Sequence, residues 1–162
     1  QMEGMPVALY FKLKSGFLEA TLADGSTLTS QDGIEKLAKG GYKFEAATAQ
    51  MALVEALAHT YLKCRVGRDS IPFKKHQEEK LTFGDVKNLL CEQGALHDPS
   101  IEEALKQYAD ARNAFAHKLV IGSFDIDIDQ FLTVGDALIN VFGTYLSKLS
   151  DDVADELFPD TE

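Results

Sequence analysis

The sequence predicts a mainly α fold: a four-to-five-helix up-down bundle behind a small N-terminal β-hairpin or meander. Three observations predict it. From about residue 32 to residue 150, apolar residues recur at spacings of three and four. A period of two is confined to the start, where Val7, Leu9, Phe11 and Leu13 alternate with Ala8, Tyr10 and Lys12. Between the helical stretches lie mostly short connections marked by capping and breaking residues. At 162 residues, one domain with one core suffices. Its parts are a β element over 6–31, a bundle over 32–150 and an acidic tail over 151–162.

Each element has its own signal. Ser15-Gly16 and Asp24-Gly25 are turn dipeptides, with F-L-E-A-T-L between them and S-T-L-T after them. A helix through 7–20 is the competing reading of that stretch. Residues 32–39 form a short helix that ends at Gly40-Gly41. A long helix follows, with Phe44, Ala47, Met51, Val54, Ala58 and Tyr61 as its stripe. Residues 66–80 are polar, contain Gly67 and Pro72, and read as a loop. Thr82, with Asp85 three residues on, is an N-cap opening a helix to about Gly94. Asp98-Pro99 caps the next, which runs to about Val120 before Gly122 breaks it. Asp127 or Asp129 caps the last helix. Its stripe of Phe131, Leu138, Phe142, Tyr145 and Leu149 has a second seam, Leu132, Ile139 and Leu146, beside it. Two seams imply contact on two sides, from a central position or a subunit interface.

Composition narrows the function. Hydrophobic residues make up 45% and charged residues 26%, a globular balance. No apolar run approaches the ~20 residues that span a bilayer. The opening Q-M-E-G-M-P has no basic stretch leading into an apolar one, so no secretory leader is expected. A cytoplasmic protein with no membrane partner follows. Cys64 and Cys91, without a CxxC, do not make a structural zinc site. Two reduced thiols are expected, with one disulfide as the alternative. The net charge of −10 argues against a protein that coats nucleic acid generally. That charge is uneven: residues 125–162 hold ten acids against Lys148 alone. Residues 63–80 carry Lys63, Arg65, Arg68, Lys74, Lys75 and Lys80 against Asp69, Glu78 and Glu79. This stretch is either a solvated loop or a local foothold for a polyanion.

One helix carries an anomaly. Ile101, Leu105, Tyr108, Arg112, Phe115 and Leu119 share a stripe at 100° per residue, with an arginine in its middle. A buried, unpaired guanidinium costs several kcal/mol, so Arg112 needs a partner, water or a cleft. An acid on a neighbouring helix is the structural explanation. His117 lies on another row, with Lys106, Asp110 and Asn113. Asp110 and Asn113 are placed to hydrogen-bond the imidazole and fix its tautomer. Five residues set His117 about 140° round from Arg112 on a straight helix. Either the helix loosens between them, or two copies meet and pool their side chains across a two-fold axis.

Arg112-Asn113-(x)3-His117, late in a long helix of a small helical chain, resembles the R-x4-H motif of the HEPN superfamily. The resemblance covers about residues 32–150 and leaves the β element outside. It implies a metal-independent endoribonuclease without cofactor, acting as a homodimer whose composite site takes the motif from both protomers. It also implies a toxin–antitoxin or phage-defence role, with an antitoxin protein as a further partner. In that chemistry the RNA 2′-OH attacks the phosphate, leaving 2′,3′-cyclic phosphate and 5′-OH ends. The resemblance assigns His117 to acid–base work, which imidazole can do near neutral pH. It assigns Arg112 to transition-state charge, and Asn113 to orientation or phosphate contact. Lys118 and the basic residues Lys63, Arg65, Arg68, Lys74 and Lys75 are candidates for flanking phosphates. Some family toxins carry a tyrosine two residues after the histidine, which a nucleotidyltransferase antitoxin modifies. Leu119 stands there in this chain, so that regulation is not expected. Arg112→Ala and His117→Ala are both expected to abolish cleavage with the fold largely intact. The alternative reading is a non-catalytic helical module on the same scaffold, whose acidic C-terminal end docks a basic protein.

Overall fold

The computed structural model describes residues 9–14, 17–65, 81–121 and 127–157. It has three strands, β1 (Leu9–Lys14), β2 (Phe17–Leu22) and β3 (Thr27–Ser30). Five helices follow: α1 (Gln31–Lys39), α2 (Lys43–Arg65), α3 (Phe83–Glu92), α4 (Pro99–Ile121) and α5 (Ile128–Leu157). The chain is mainly helical with a small N-terminal antiparallel meander, the class its periodicities predict. Residues 9–14 and 17–22 are strands, not part of the competing helix through 7–20.

The strands run in the order β1-β2-β3. β1 pairs with β2 from Leu9 opposite Leu22 to Lys14 opposite Phe17, and β3 pairs with β2 through an irregularity at Ala20/Thr21. Leu18 and Ala20 of β2 are buried in the common core, whereas Tyr10 and Leu28 lie exposed. Gln31, at the start of α1, ties this sheet to the far end of the chain. Its Oε1 accepts the Leu18 N–H at 2.8 Å, and its Nε2 donates to Asp136 Oδ1 at 3.0 Å and Asn140 Oδ1 at 3.2 Å.

Helix ends follow the chemistry of their residues. Ser30 caps α1 by accepting the Gly33 N–H. Gly41, with φ 89°, lets the Tyr42 N–H reach back to Leu37 O at 2.9 Å. Thr82 and Asp85 form a reciprocal capping box on α3, as their spacing predicts. Asp98 caps α4 by accepting the Ser100 N–H at 2.8 Å. Those bonds to Ser100 hold its carboxyl below the usual carboxylate range. Asp127, rather than Asp129, caps α5 through the Gln130 N–H at 3.0 Å. The helix backbone of α5 continues through residues 151–157, which the sequence assigns to a tail. The loop expected over 66–80 and the break at Gly122 lie outside the described residues.

The core corrects the sequence reading of two helices. α2 packs against α1, α3, α5 and β3, and so occupies the centre of the fold. Its buried positions are Ala46, Ala47, Gln50, Leu53, Val54, Leu57, Ala58, Tyr61 and Leu62, about half its circumference at 100° per residue. Three of these are alanines, and their small side chains let neighbouring helices approach without announcing a second apolar seam. Phe44, read as the first member of the stripe, is 36% exposed. It lies at the helix start, against Phe115, with ring centroids 5.7 Å apart. On α5, Phe131, Leu138, Ile139 and Phe142 are buried, while Leu132, Tyr145, Leu146 and Leu149 pack around them half-buried. Its main neighbours are α2 and α4, which accounts for both seams within one copy. Cys64 and Cys91 are free thiols.

Candidate functional site

The site suggested by the sequence rests on α4, and α4 is locked to the core on the turns before it. Leu105 and Tyr108 are fully buried. The Tyr108 ring stacks on Phe131 of α5 with centroids 4.5 Å apart, and Phe115 lies parallel to the same ring at 6.1 Å. The Tyr108 hydroxyl donates to Gln50 Oε1 at 3.0 Å, and Gln50 Nε2 donates to Leu132 O at 2.7 Å. Three helices are therefore joined through one buried amide. Burial holds the Tyr108 phenol far above its ordinary range, and the Glu55 carboxylate adds to the effect.

One turn further on, Arg112 has the partner its position demands. Its Nη2 meets Glu55 Oε1 of α2 at 2.6 Å. The guanidinium carbon also lies 5.7 Å from the Phe83 ring centroid, a cation–π contact with the first residue of α3. Arg112 thus links α2, α3 and α4. The two side chains are 33% and 29% exposed, so the pair sits at the edge of the core rather than within it. Burial pushes the Glu55 carboxyl above its usual range, and the charge and hydrogen bond of Arg112 pull it partly back. Among the described residues, this one ion pair engages one arginine nitrogen. The guanidinium has five N–H donors, so most of its fork is left for other acceptors.

The second half of the motif faces elsewhere. Lys106, Asp110, Asn113 and His117 are all exposed, the shared polar row read from their spacing. α4 is an unbroken α-helix from Arg112 to His117, so it does not loosen between them. The two groups stay about 140° apart around the axis and about 7.5 Å apart along it. Within one copy, the structure does not bring the guanidinium and the imidazole to one point. A hollow of about 210 Å³ between α4 and α5 is lined by Gln107, Tyr108, Ala111, Asp127, Gln130, Phe131 and Val134, not by the motif. Asn113 and His117 are exposed, and Arg112 is half-buried beside Glu55 and Phe83.

Of the other candidates, Lys63 and Arg65 are exposed in the last turn of α2. Arg68, Lys74 and Lys75 lie outside the described residues, as does His76. Lys118 belongs to α4, but its side chain is also outside them. His59 is half-buried on α2, and His97 meets the Tyr145 ring edge-on at 5.7 Å. Among the described residues no group of three or more His, Cys, Asp or Glu is placed to hold a metal ion. No described helix is long and apolar enough to cross a membrane.

Sequence reasoning missed Glu55 and Gln50. The signal for Glu55 was available: it lies four residues after Met51 and three before Ala58, so an acid interrupts an apolar face. Gln50 sits among alanines in the same way. Neither could be matched to its partner without the crossing of the helices. Compared with family models, curated proteins and solved structures, the chain matches none.

Proposed function

We propose that this chain is a metal-independent endoribonuclease of the HEPN type, working as a homodimer. The supporting observation is the state of Arg112: a guanidinium anchored on one side, a third exposed, on the helix that also carries the exposed His117. An arginine fixed in this way is suited to the charge that gathers on phosphate oxygens in the transition state. His117, open to solvent, is suited to take the 2′-OH proton or to protonate the 5′-oxygen that leaves. Asn113 shares its face and supplies an amide for orientation or a phosphate contact. Because α4 stays straight, one active centre needs Arg112 and His117 from both protomers across a two-fold axis. A cytoplasmic toxin or phage-defence effector held in check by an antitoxin protein is the role that goes with this reading. Lys63 and Arg65, exposed at the end of α2, are the described candidates for flanking phosphates.

A second reading is favoured by the Glu55 contact. The pair gives Arg112 a purely structural reason to interrupt its stripe, which fits a non-catalytic module with an acidic C-terminal end for a basic partner. The two readings separate on labelled total RNA in EDTA, with wild type beside His117→Ala. The ribonuclease reading expects loss of full-length RNA with wild type alone. If neither protein cuts, the binding-module reading takes its place.

A further inference from the structure

We infer that Glu55 is a positioning residue for the ribonuclease site: it holds the Arg112 guanidinium by one edge and leaves the rest of the fork directed at RNA phosphate. The inference rests on the ribonuclease reading above and adds a residue that the R-x4-H pattern does not contain.

Three features of the contact carry it. First, the contact is less exposed than the lysine pairs among the described residues, including Lys43–Asp129, which also crosses between helices but is 46% and 72% exposed. Lys36–Asp32 and Lys39–Glu35 run along α1 with their lysines about three-quarters exposed. Such pairs contribute little. Glu55 instead reaches across from α2, with both partners about 30% exposed. Second, the restraint is two-sided. Glu55 takes Nη2 at 2.6 Å, while the Phe83 ring centroid lies 5.7 Å from the central carbon of the guanidinium. A ring uses the face of the group and consumes no N–H, so the fork keeps its remaining donors. Third, the base of the arginine is immobilised one turn earlier, where Tyr108 is stacked on Phe131 and bonded to Gln50. The guanidinium is therefore restrained at both ends of its side chain.

Such preorganisation matters for a step whose charge develops only in the transition state. A donor already aimed needs no reorganisation when the charge appears. Loss of the restraint then lowers kcat, because the contact is realised in the transition state, and leaves KM nearly unchanged. A pair that merely ties α2 to α4 predicts lower stability with kcat intact.

The test follows the arginine and the reaction together. The chain has three arginines, Arg65, Arg68 and Arg112. Their side-chain NMR signals are few, and Arg112→Lys assigns the one in question. Wild type, Glu55→Gln and Glu55→Asp are compared by that signal and by kinetics on a labelled RNA pool in EDTA. We expect slow guanidinium rotation in wild type and free rotation in Glu55→Gln. The Gln variant is expected to lose about tenfold or more in kcat, with KM within twofold. Glu55→Asp keeps the charge, and its kcat is expected to follow whichever signal it shows; it also serves if the Gln variant does not fold. A freed Arg112 signal with undiminished kcat overturns the inference, as does an unchanged signal in Glu55→Gln. Either result, with wild type active and His117→Ala inert, leaves the ribonuclease reading standing. An inert wild type overturns both.

Discussion

Gly135 tests the buried hub more sharply than any side chain in it. It lies in α5 directly against Gln50, the amide that joins α2, α4 and α5. A Cβ built on Gly135 would overlap Gln50 Oε1 and Cδ and stand 2.8 Å from its Nε2. Gln50 is 1% exposed in its bonded position, and the space open to its amide is the hollow of about 440 Å³ it borders with Gln31, Leu132 and Asp136, away from Tyr108. Gly135→Ala therefore has to expel the amide from its bonds to Tyr108 and Leu132. Leaving the buried Tyr108 hydroxyl without its acceptor costs roughly 1–3 kcal/mol, and displacing the close-packed side chain adds about 1–3 kcal/mol. The better helix propensity of alanine returns up to about 1 kcal/mol. The net expectation is a loss of roughly 2–4 kcal/mol, or a fall in Tm on the order of 5–15 °C for a chain of this size. Gly143 is the internal control. On the same helix, a Cβ there would meet only Leu18 methyls at 3.9 Å, an ordinary contact. Gly143→Ala should leave Tm unchanged or raise it. Urea and thermal denaturation of the two variants read the difference. If Gly135→Ala is as stable as wild type, the amide does not occupy that space and the three-helix hub is wrong.

Three other perturbations follow from the same structure. Arg112→Ala strands the Glu55 carboxylate, so it destabilises the fold as well as the site, contrary to the sequence expectation of an intact fold. The cost is about 1–3 kcal/mol, less than for a fully buried pair because both groups are about 30% exposed. Arg112 lowers the Glu55 pKa in wild type, so its loss lets burial raise it further. A group whose folded pKa is raised loses stability as pH rises through that value. The penalty of Arg112→Ala should therefore be largest at neutral pH and shrink as the pH falls below about 4, where the carboxyl becomes protonated in both states; a penalty independent of pH in urea titrations would remove the unpaired charge as its cause. Gln31→Ala deletes the bonds to Leu18, Asp136 and Asn140. It should cost about 1–3 kcal/mol and raise amide exchange at Leu18 specifically. Thr82→Ala removes one half of the α3 capping box and should cost about 1 kcal/mol, read from the urea midpoint.

What was legible in the sequence was whatever local chemistry dictates. Thr82 and Asp85 specify their cap three residues apart, and the alternation through Leu9 and Phe11 specifies a strand. The oddity of Arg112 was also legible, because one charged residue on an apolar stripe needs no partner in view to be noticed. Its partner was not. Glu55 precedes Arg112 by 57 positions, and only the packing of α2, α3 and α4 brings the two together. The central place of α2 was hidden for a related reason, since Ala46, Ala47 and Ala58 carry little hydrophobic signal yet are fully buried. The polar row of Asp110, Asn113 and His117 followed from helix geometry alone and is exposed as that geometry requires.

The most direct measurement is the chemistry of the RNA ends left in EDTA by wild type and by His117→Ala. His117 is exposed, so its removal spares the fold and isolates the chemistry. The account predicts 2′,3′-cyclic phosphate and 5′-OH termini from wild type, and none from the variant. Equal cleavage by both proteins, 3′-OH ends, or intact RNA throughout would contradict it.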